Sequence, residues 1–350
     1  MMKIMTRAYL GSYTTGDARG TGLSLLTADP ASGQLTLDGG VDVGPDPTFL
    51  ALSPGGDVLY AVNQQDQGKV VAVRLTGDRP AVINSQSSLG ASPCHVSAHP
   101  DGGHVFAGNY RSGSVVVHPV RPDGGLAEPS DSARHTGSGP DPDRQEGPHV
   151  HQVLADPSGN WVLAVDLGTD SVVGYGFDRA AGRIGRHGVT AFRPRSGPRH
   201  LAFHPDGRTA YVVGELDSTI TVCAWDAERG QLSPGQVVST LPPGWTGTNY
   251  PSEIVLSADG RFCYAANRGH DSVAVLAVEE QGRRLRLLWA TPTGGAWPWH
   301  IAIDPAGNHL YASNWRGHSV TRFRVDESTG ALLPGQDVLA TGSPVCLVFG

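Results

Sequence analysis

Three positions recur along this chain, and in four places they hold side chains able to do acid–base and anion-binding chemistry. Counting back six residues from the proline of a repeated turn gives Thr48, Cys94, His151, Arg199, Ser252 and Trp299, with Ala258 standing in for one proline. The residue after each is Phe49, His95, Gln152, His200, Glu253 or His300. The third position, one past a repeated Asn, Asp or Gly, holds Gln64, Tyr110, Leu167, Glu215, Arg268 and Trp315. A ring with a purely structural task would repeat one residue type, yet equivalent positions here carry His151, Arg199, Glu215 and Arg268. An imidazole exchanges protons near neutral pH. Guanidinium groups hold a carboxylate, a phosphate or a developing oxyanion. A carboxylate beside them is either an ion-pair partner or part of an asymmetric polar site. His149, His151 and His200 could together hold a metal, but no carboxylate–His spacing accompanies them, and no metal is assigned.

A repeat must gather these positions. The stretch from Gly197 to Val222 reads as two strands joined by a tight turn: Leu201 and Phe203 alternate with smaller residues, Pro205-Asp206-Gly207 turns the chain, and Ala210 to Val213 resumes an apolar run. The same template opens at Pro47, Pro93, Pro148, Pro251, Pro298 and Pro344, with 46 to 55 residues between successive openings. Four strand signals per period of this length predict a propeller blade. The fold expected is all-β: a seven-bladed β-propeller of four-stranded antiparallel blades in one domain, 1–350. The N-terminal part supplies three strands of a blade and Val345 to Phe349 the missing first strand, so pairing the two ends closes the ring and leaves no open sheet edge. Because the first two strands of a blade are antiparallel, the start of one and the end of the other meet at a single mouth of the central channel. The turns bearing His99 and His204 fall at the opposite end, where those histidines are expected as surface residues. The Asn and Asp residues ending second strands are expected to cap turns. The longest connection, Val120 to Gly147, is polar and is expected to lie over one face of the disc.

Composition narrows the partners. The 47 glycines and 26 prolines suit a fold that turns every eight to twelve residues. A net charge of −7 with no basic run argues against a nucleic-acid partner. No apolar segment approaches the length of a membrane span, and MMKIMTRAYL lacks the long apolar core of a signal peptide, so a cytoplasmic protein without membrane contact is expected. Cys94, Cys223, Cys263 and Cys346 lie in or beside apolar strands without metal-ligand spacing and read as buried free thiols.

The motifs PHVHQV (148–153), DLGTD (166–170), GPRH (197–200), GEL (214–216) and NRGHDSV (267–273) resemble the lactonase family of seven-bladed propellers, over essentially the whole chain. That family includes bacterial 6-phosphogluconolactonase and fungal 3-carboxy-cis,cis-muconate cyclase. The resemblance implies a catalytic set of one His, two Arg and one Glu, which by motif fall on His151, Arg199, Arg268 and Glu215. It also implies that the loop GSGPDPDRQ (137–145) brings Arg144 to the mouth, beside substrate-binding positions His149, His200 and His300. Where many members have Pro-Arg, this chain has Pro298-Trp299. With Trp297, Trp315 and Trp245 nearby, that side of the mouth is expected to be aromatic, Trp299 and Trp315 suiting a sugar face or a flat conjugated molecule.

The activity implied is hydrolysis of a sugar lactone such as 6-phosphogluconolactone, without a cofactor, on a small-molecule lactone or carboxylate, by a monomer or weak homo-oligomer. In this reading His151 is general base or proton shuttle with a pKa near neutrality. Arg199 and Arg268 bind the anion and stabilise the oxyanion, and Glu215 orients an arginine or carries a proton to the leaving hydroxyl. The alternatives are a lactone-forming cyclase of the carboxymuconate type and a non-catalytic ligand-binding propeller.

Overall fold

The repeated template folds as its alternation dictates. In the computed structural model, Pro198–Phe203, Thr209–Gly214, Thr219–Asp226 and Gln231–Ser239 form one antiparallel sheet in that order, and the described residues build 28 strands into seven such four-stranded sheets. The structure describes residues 5–76 and 79–350; the first four residues of the MMKIMTRAYL segment lie outside them. Numbered by their opening strands, blades 1 to 6 cover 47–87, 93–134, 150–191, 198–239, 250–292 and 298–340. Blade 7 is split as expected: Pro344–Phe349 is its innermost strand and pairs with Thr6–Ser12, followed by Leu23–Ala28 and Leu35–Val41.

Seven apolar clusters fill the seven gaps between neighbouring blades. One joins Tyr211 and Val213 of blade 4 to Ile254 and Cys263 of blade 5, and another joins Ala8 and Leu10 of blade 7 to Tyr311 and Val320 of blade 6. Each blade therefore buries both faces against its neighbours, which is why second strands such as Val58–Asn63 are buried along their whole length. Tyrosines of the second strands latch blade to blade. The hydroxyls of Tyr60, Tyr211, Tyr264 and Tyr311 donate to the carbonyls of Gly124, Gly282, Gly330 and Gly33 at 3.2, 2.7, 3.1 and 2.7 Å. The four cysteines are buried and unpaired.

A β-bulge opens every blade. Pro198 pairs with Gly214 and His200 with Val213, so Arg199 is the extra residue, and the same one-residue shift occurs at Thr48, Cys94, His151, Trp299 and Val345 and within Ser252-Glu253. A regular strand would send consecutive side chains to opposite faces; the bulge turns two in succession toward the channel. Of the strand-end residues, Asp166 caps its turn, Oδ1 accepting from the Gly168 and Thr169 N–H groups at 3.0 and 3.2 Å, whereas Asn63 ties the strand end to the preceding connection, Nδ2 donating to the Val43 and Pro45 carbonyls at 3.1 and 2.7 Å.

Two expectations need correction. The 120–147 connection is only half a covering loop: Asp131–Arg134 pairs with Ser114–Pro119 as the outer strand of blade 2, and the segment from His135 onward crosses back to the channel. His99 is not a surface residue, being 1% exposed with Nε2 2.8 Å from the Gly159 carbonyl of blade 3; His204 is half-buried and packs on Gly260 of blade 5. The blades sit so close that even their far-end turns are blade-to-blade contacts.

Candidate active site

The bulge residues and the ends of the second strands converge on a cavity of about 180 Å³ at one mouth of the channel. Of the ten site positions read from the sequence, eight line it: Arg144, His151, Arg199, His200, Glu215, Arg268, Trp299 and His300. Pairs adjacent in sequence, Arg199 with His200 and Trp299 with His300, both face it because of the bulge.

Glu215 is the centre of charge. It is 2% exposed, and its carboxylate accepts from Arg144, pairs with Arg268 Nη2 at 2.6 Å, and has Arg199 Nε at 3.0 Å without hydrogen-bond alignment. Burial by itself would raise its pKa, but Arg268, Arg144 and Arg199 outweigh burial and hold the carboxyl down at about 2. Glu215 is therefore ionised at neutral pH, in contact with all three arginines. The arginines are fixed from behind as well. Arg199 Nη1 donates to the Ser252 carbonyl at 2.6 Å and Arg268 Nε to the Tyr250 carbonyl at 2.9 Å. Arg199 Nη2 and Arg268 Nη1 are left without a hydrogen-bond partner among the described residues. Burial, then the neighbouring Arg268, lowers the Arg199 guanidinium to about 10, where it is still a cation at neutral pH. The Trp299 indole lies under both, 4.8 Å from the Arg268 guanidinium and 5.9 Å from that of Arg199.

The segment delivering Arg144 is tied down by buried polar contacts. His135 Nδ1 meets Asp166 Oδ2 at 2.6 Å and its Nε2 meets the Tyr175 hydroxyl at 2.8 Å. Further along, Gln145 Nε2 donates to the Leu167 carbonyl at 2.9 Å.

The histidines form a layer beneath the arginines. His151 does not titrate near neutrality as expected: burial, then Arg199, His200 and Arg268, push its pKa well below the ordinary imidazole value, so it is neutral at neutral pH. His200 is depressed in the same way, by burial and then Arg199. Burial takes His300 down to about 4, Glu253 opposing. Cys94 lines the cavity with Sγ 3.9 Å from His151 Nδ1, but burial lifts its thiol to about 12 and it is no nucleophile.

Two positions read as substrate-binding stand behind the wall. His149 stacks on Tyr110 with ring centroids 4.3 Å apart and turns Nε2 to Glu146 at 3.1 Å. Trp315 backs Trp299 at 5.2 Å and Tyr13 at 5.9 Å. Trp297 stacks under Arg316, 3.9 Å from its guanidinium, and Trp245 packs on His270, both outside the cavity lining. Among the described residues no cluster of His, Cys, Asp and Glu side chains has metal-binding geometry. Tyr13 was missed: it lines the cavity and donates to Gln64 Oε1 at 2.8 Å. Carrying the strand-end register into the N-terminal fragment, one past Ser12, would have found it.

The residues from 7 to 349 match the family model described as lactonase, 7-bladed beta-propeller. A Bacillus subtilis 6-phosphogluconolactonase is 36% identical over 345 residues, covering 97% of each chain. Among solved structures, a Lactobacillus plantarum protein superposes with a TM-score of 0.92 at 32% identity, over 99% of this chain and 100% of the other. The Pseudomonas aeruginosa periplasmic gluconolactonase superposes with a TM-score of 0.91 at 30% identity, over 99% of both.

Proposed function

Starting from the fact that this chain belongs to the lactonase family of seven-bladed β-propellers, we propose that it hydrolyses a sugar lactone such as 6-phosphogluconolactone at the mouth of its channel. The observation that carries this reading is the cluster of Arg199 and Arg268 on Glu215, each arginine keeping an unpaired N–H within a cavity that two neutral histidines share. Hydrolysis of a lactone develops negative charge on the carbonyl oxygen as water adds. Donors fixed in advance stabilise that charge without reorganising, worth a few kcal/mol each. Arg199 and Arg268 are the donors, and Glu215 fixes their direction. His151, neutral and walled in, accepts a proton from water or shuttles one. Trp299 supplies a flat face for the ring of the substrate. Arg144, a third exposed to solvent and held to Glu215, can meet an anionic group arriving at the rim.

Purified protein incubated with a panel of phosphorylated and unphosphorylated aldonolactones, with acid release followed by pH-stat, tests the reading. Turnover at a rate well above spontaneous opening, undiminished by EDTA, is the expected result. Failure to open any lactone faster than buffer does would refute it.

A further inference from the structure

We propose that His200, held by Glu253, is the base that activates the attacking water; this deepens the lactone-hydrolase reading and rests on it. His200 is 1% exposed and lines the cavity. Its Nδ1 lies 2.9 Å from Glu253 Oε1, which also accepts the Ile254 N–H at 3.1 Å. An oxygen that already accepts the Ile254 N–H is an acceptor toward the imidazole too, so Nδ1 bears the hydrogen and the lone pair of the neutral ring is on Nε2. That Nε2 is buried and has no hydrogen-bond partner among the described residues.

His300 completes the support. The Leu347 N–H points to His300 Nδ1 at 3.4 Å, which leaves the ring hydrogen on Nε2, 3.4 Å from Glu253 Oε2. Glu253 is thus a buried carboxylate, 6% exposed, with His200 and the Ile254 N–H gathered on one oxygen and the second nitrogen of the His200 ring on the side away from it. A carboxylate behind an imidazole fixes its tautomer and stabilises the imidazolium that forms during the reaction. His151, whose ring centroid is 5.1 Å from that of His200, has no carboxylate behind it: its Nδ1 faces only the Cys94 thiol. His200 also faces His95, Arg199, Arg268 and Glu215, and among these charges Glu253 is the anion in hydrogen-bond contact.

The step balances within the site. His200 Nε2 takes a proton from water as the water oxygen bonds to the lactone carbonyl carbon. The carbonyl π pair moves to its oxygen, where Arg199 and Arg268 donate. Collapse restores the carbonyl and breaks the bond to the ring oxygen, which leaves with the proton held by His200. The product is the open hydroxy acid, which ionises to solvent. His200 is the catalytic residue in this account, Glu253 the positioning residue, and His151 a shuttle.

The test uses the full-length enzyme on the fastest lactone of the panel. Glu253→Gln, isosteric and able to offer either tautomer a partner, should lower kcat by ~10²–10⁴ with KM held within a few-fold. Glu253→Asp, which keeps the charge, should lose less. His200→Ala should lose a similar factor and regain part of it when free imidazole is added, which a merely structural histidine would not do. Glu253→Gln turning over within threefold of the parent overturns the proposal, whatever becomes of the folding of His200→Ala. So does imidazole rescue of His151→Ala but not of His200→Ala. If the parent protein opens no lactone, the underlying reading fails first and this assignment falls with it.

Discussion

The chemistry of single residues at this mouth is set by who is buried beside whom. Arg199 is 1% exposed, and at that depth its partners decide its role. Replacing it by Ala removes one donor to the developing oxyanion, and kcat should fall by ~10²–10³, roughly 3–4 kcal/mol of transition-state stabilisation. Steady-state kinetics on the best lactone decide it, and an unchanged kcat would exclude a donor role. Glu215 makes a pH prediction. Its folded pKa of about 2 lies below the ~4.3 of an unfolded Glu. The stabilisation from its ionised form is fully present above ~4.3 and is lost as pH falls through ~2, on the order of 3 kcal/mol in all. The gap in urea midpoint between the parent and Glu215→Gln should therefore be constant from neutral pH down to ~4.3 and shrink below it. A gap independent of pH would contradict the clamp of three arginines. For the histidines the sign gives a different window. A base depressed below the ~6.5 of free imidazole stays competent in mild acid, so the acid limb of kcat/KM should lie under that value.

At the scale of the element, the bulge and the tyrosine latch carry the design. The bulge is one inserted residue per blade, and it lets a first strand show two consecutive side chains to the channel while its remainder keeps strict alternation for the blade-to-blade core. Just ahead of it the backbone turns left-handed. Gly197 does so at φ 57° without penalty, whereas Trp297 does so at φ 62° with a bulky side chain, a conformation that costs energy and that the Arg316 stack helps hold. The Tyr311 latch is a separable part of this scaffold. Its hydroxyl reaches the Gly33 carbonyl across the blade 6–blade 7 gap, far from the cavity. Tyr311→Phe keeps the ring packed and should cost about 1 kcal/mol in denaturant unfolding. Lactone turnover should be untouched, and a matching loss of rate would mean that the blades and the mouth are coupled.

Over the whole molecule, closure is the decisive interaction. Residues 8 to 12 pair with 344 to 349, so the last strand of the chain is the innermost strand of blade 7 and stands beside the cavity through Val345. Deleting 344–350 would open a sheet edge at the axis and strip cover from Leu10 and Tyr9 at once. Because each blade is held only by its neighbours and the ring has no end, the loss should be cooperative: the truncated chain should fail to give the parent's single unfolding transition in circular dichroism. A truncated protein melting at the parent's temperature would show that the ring does not depend on this strand. No helix among the described residues is long and apolar enough to cross a membrane. The expectation of a cytoplasmic protein stands beside a solved neighbour that is periplasmic.

Periodicity in the sequence was enough to determine the blades, because every blade meets the same demand, two buried faces and a turn at fixed spacing, and so repeats the same residue types around Pro47, Pro93, Pro198 and Pro298. Register counting also isolated His151, Arg199, Glu215 and Arg268, since a site on a repeated scaffold stands out as the place where the repeat is broken. What counting along one chain could not provide was depth and direction. Only the packed ring decided that His99 is buried between two blades, that His149 turns back onto Tyr110, and that Tyr13 reaches the cavity from the far end of the chain. The titration of His151 and the pairing of His200 with Glu253 belong to the same class. They depend on burial and on charges brought from other blades, 53 residues away for Glu253, and those distances exist only once the ring has closed.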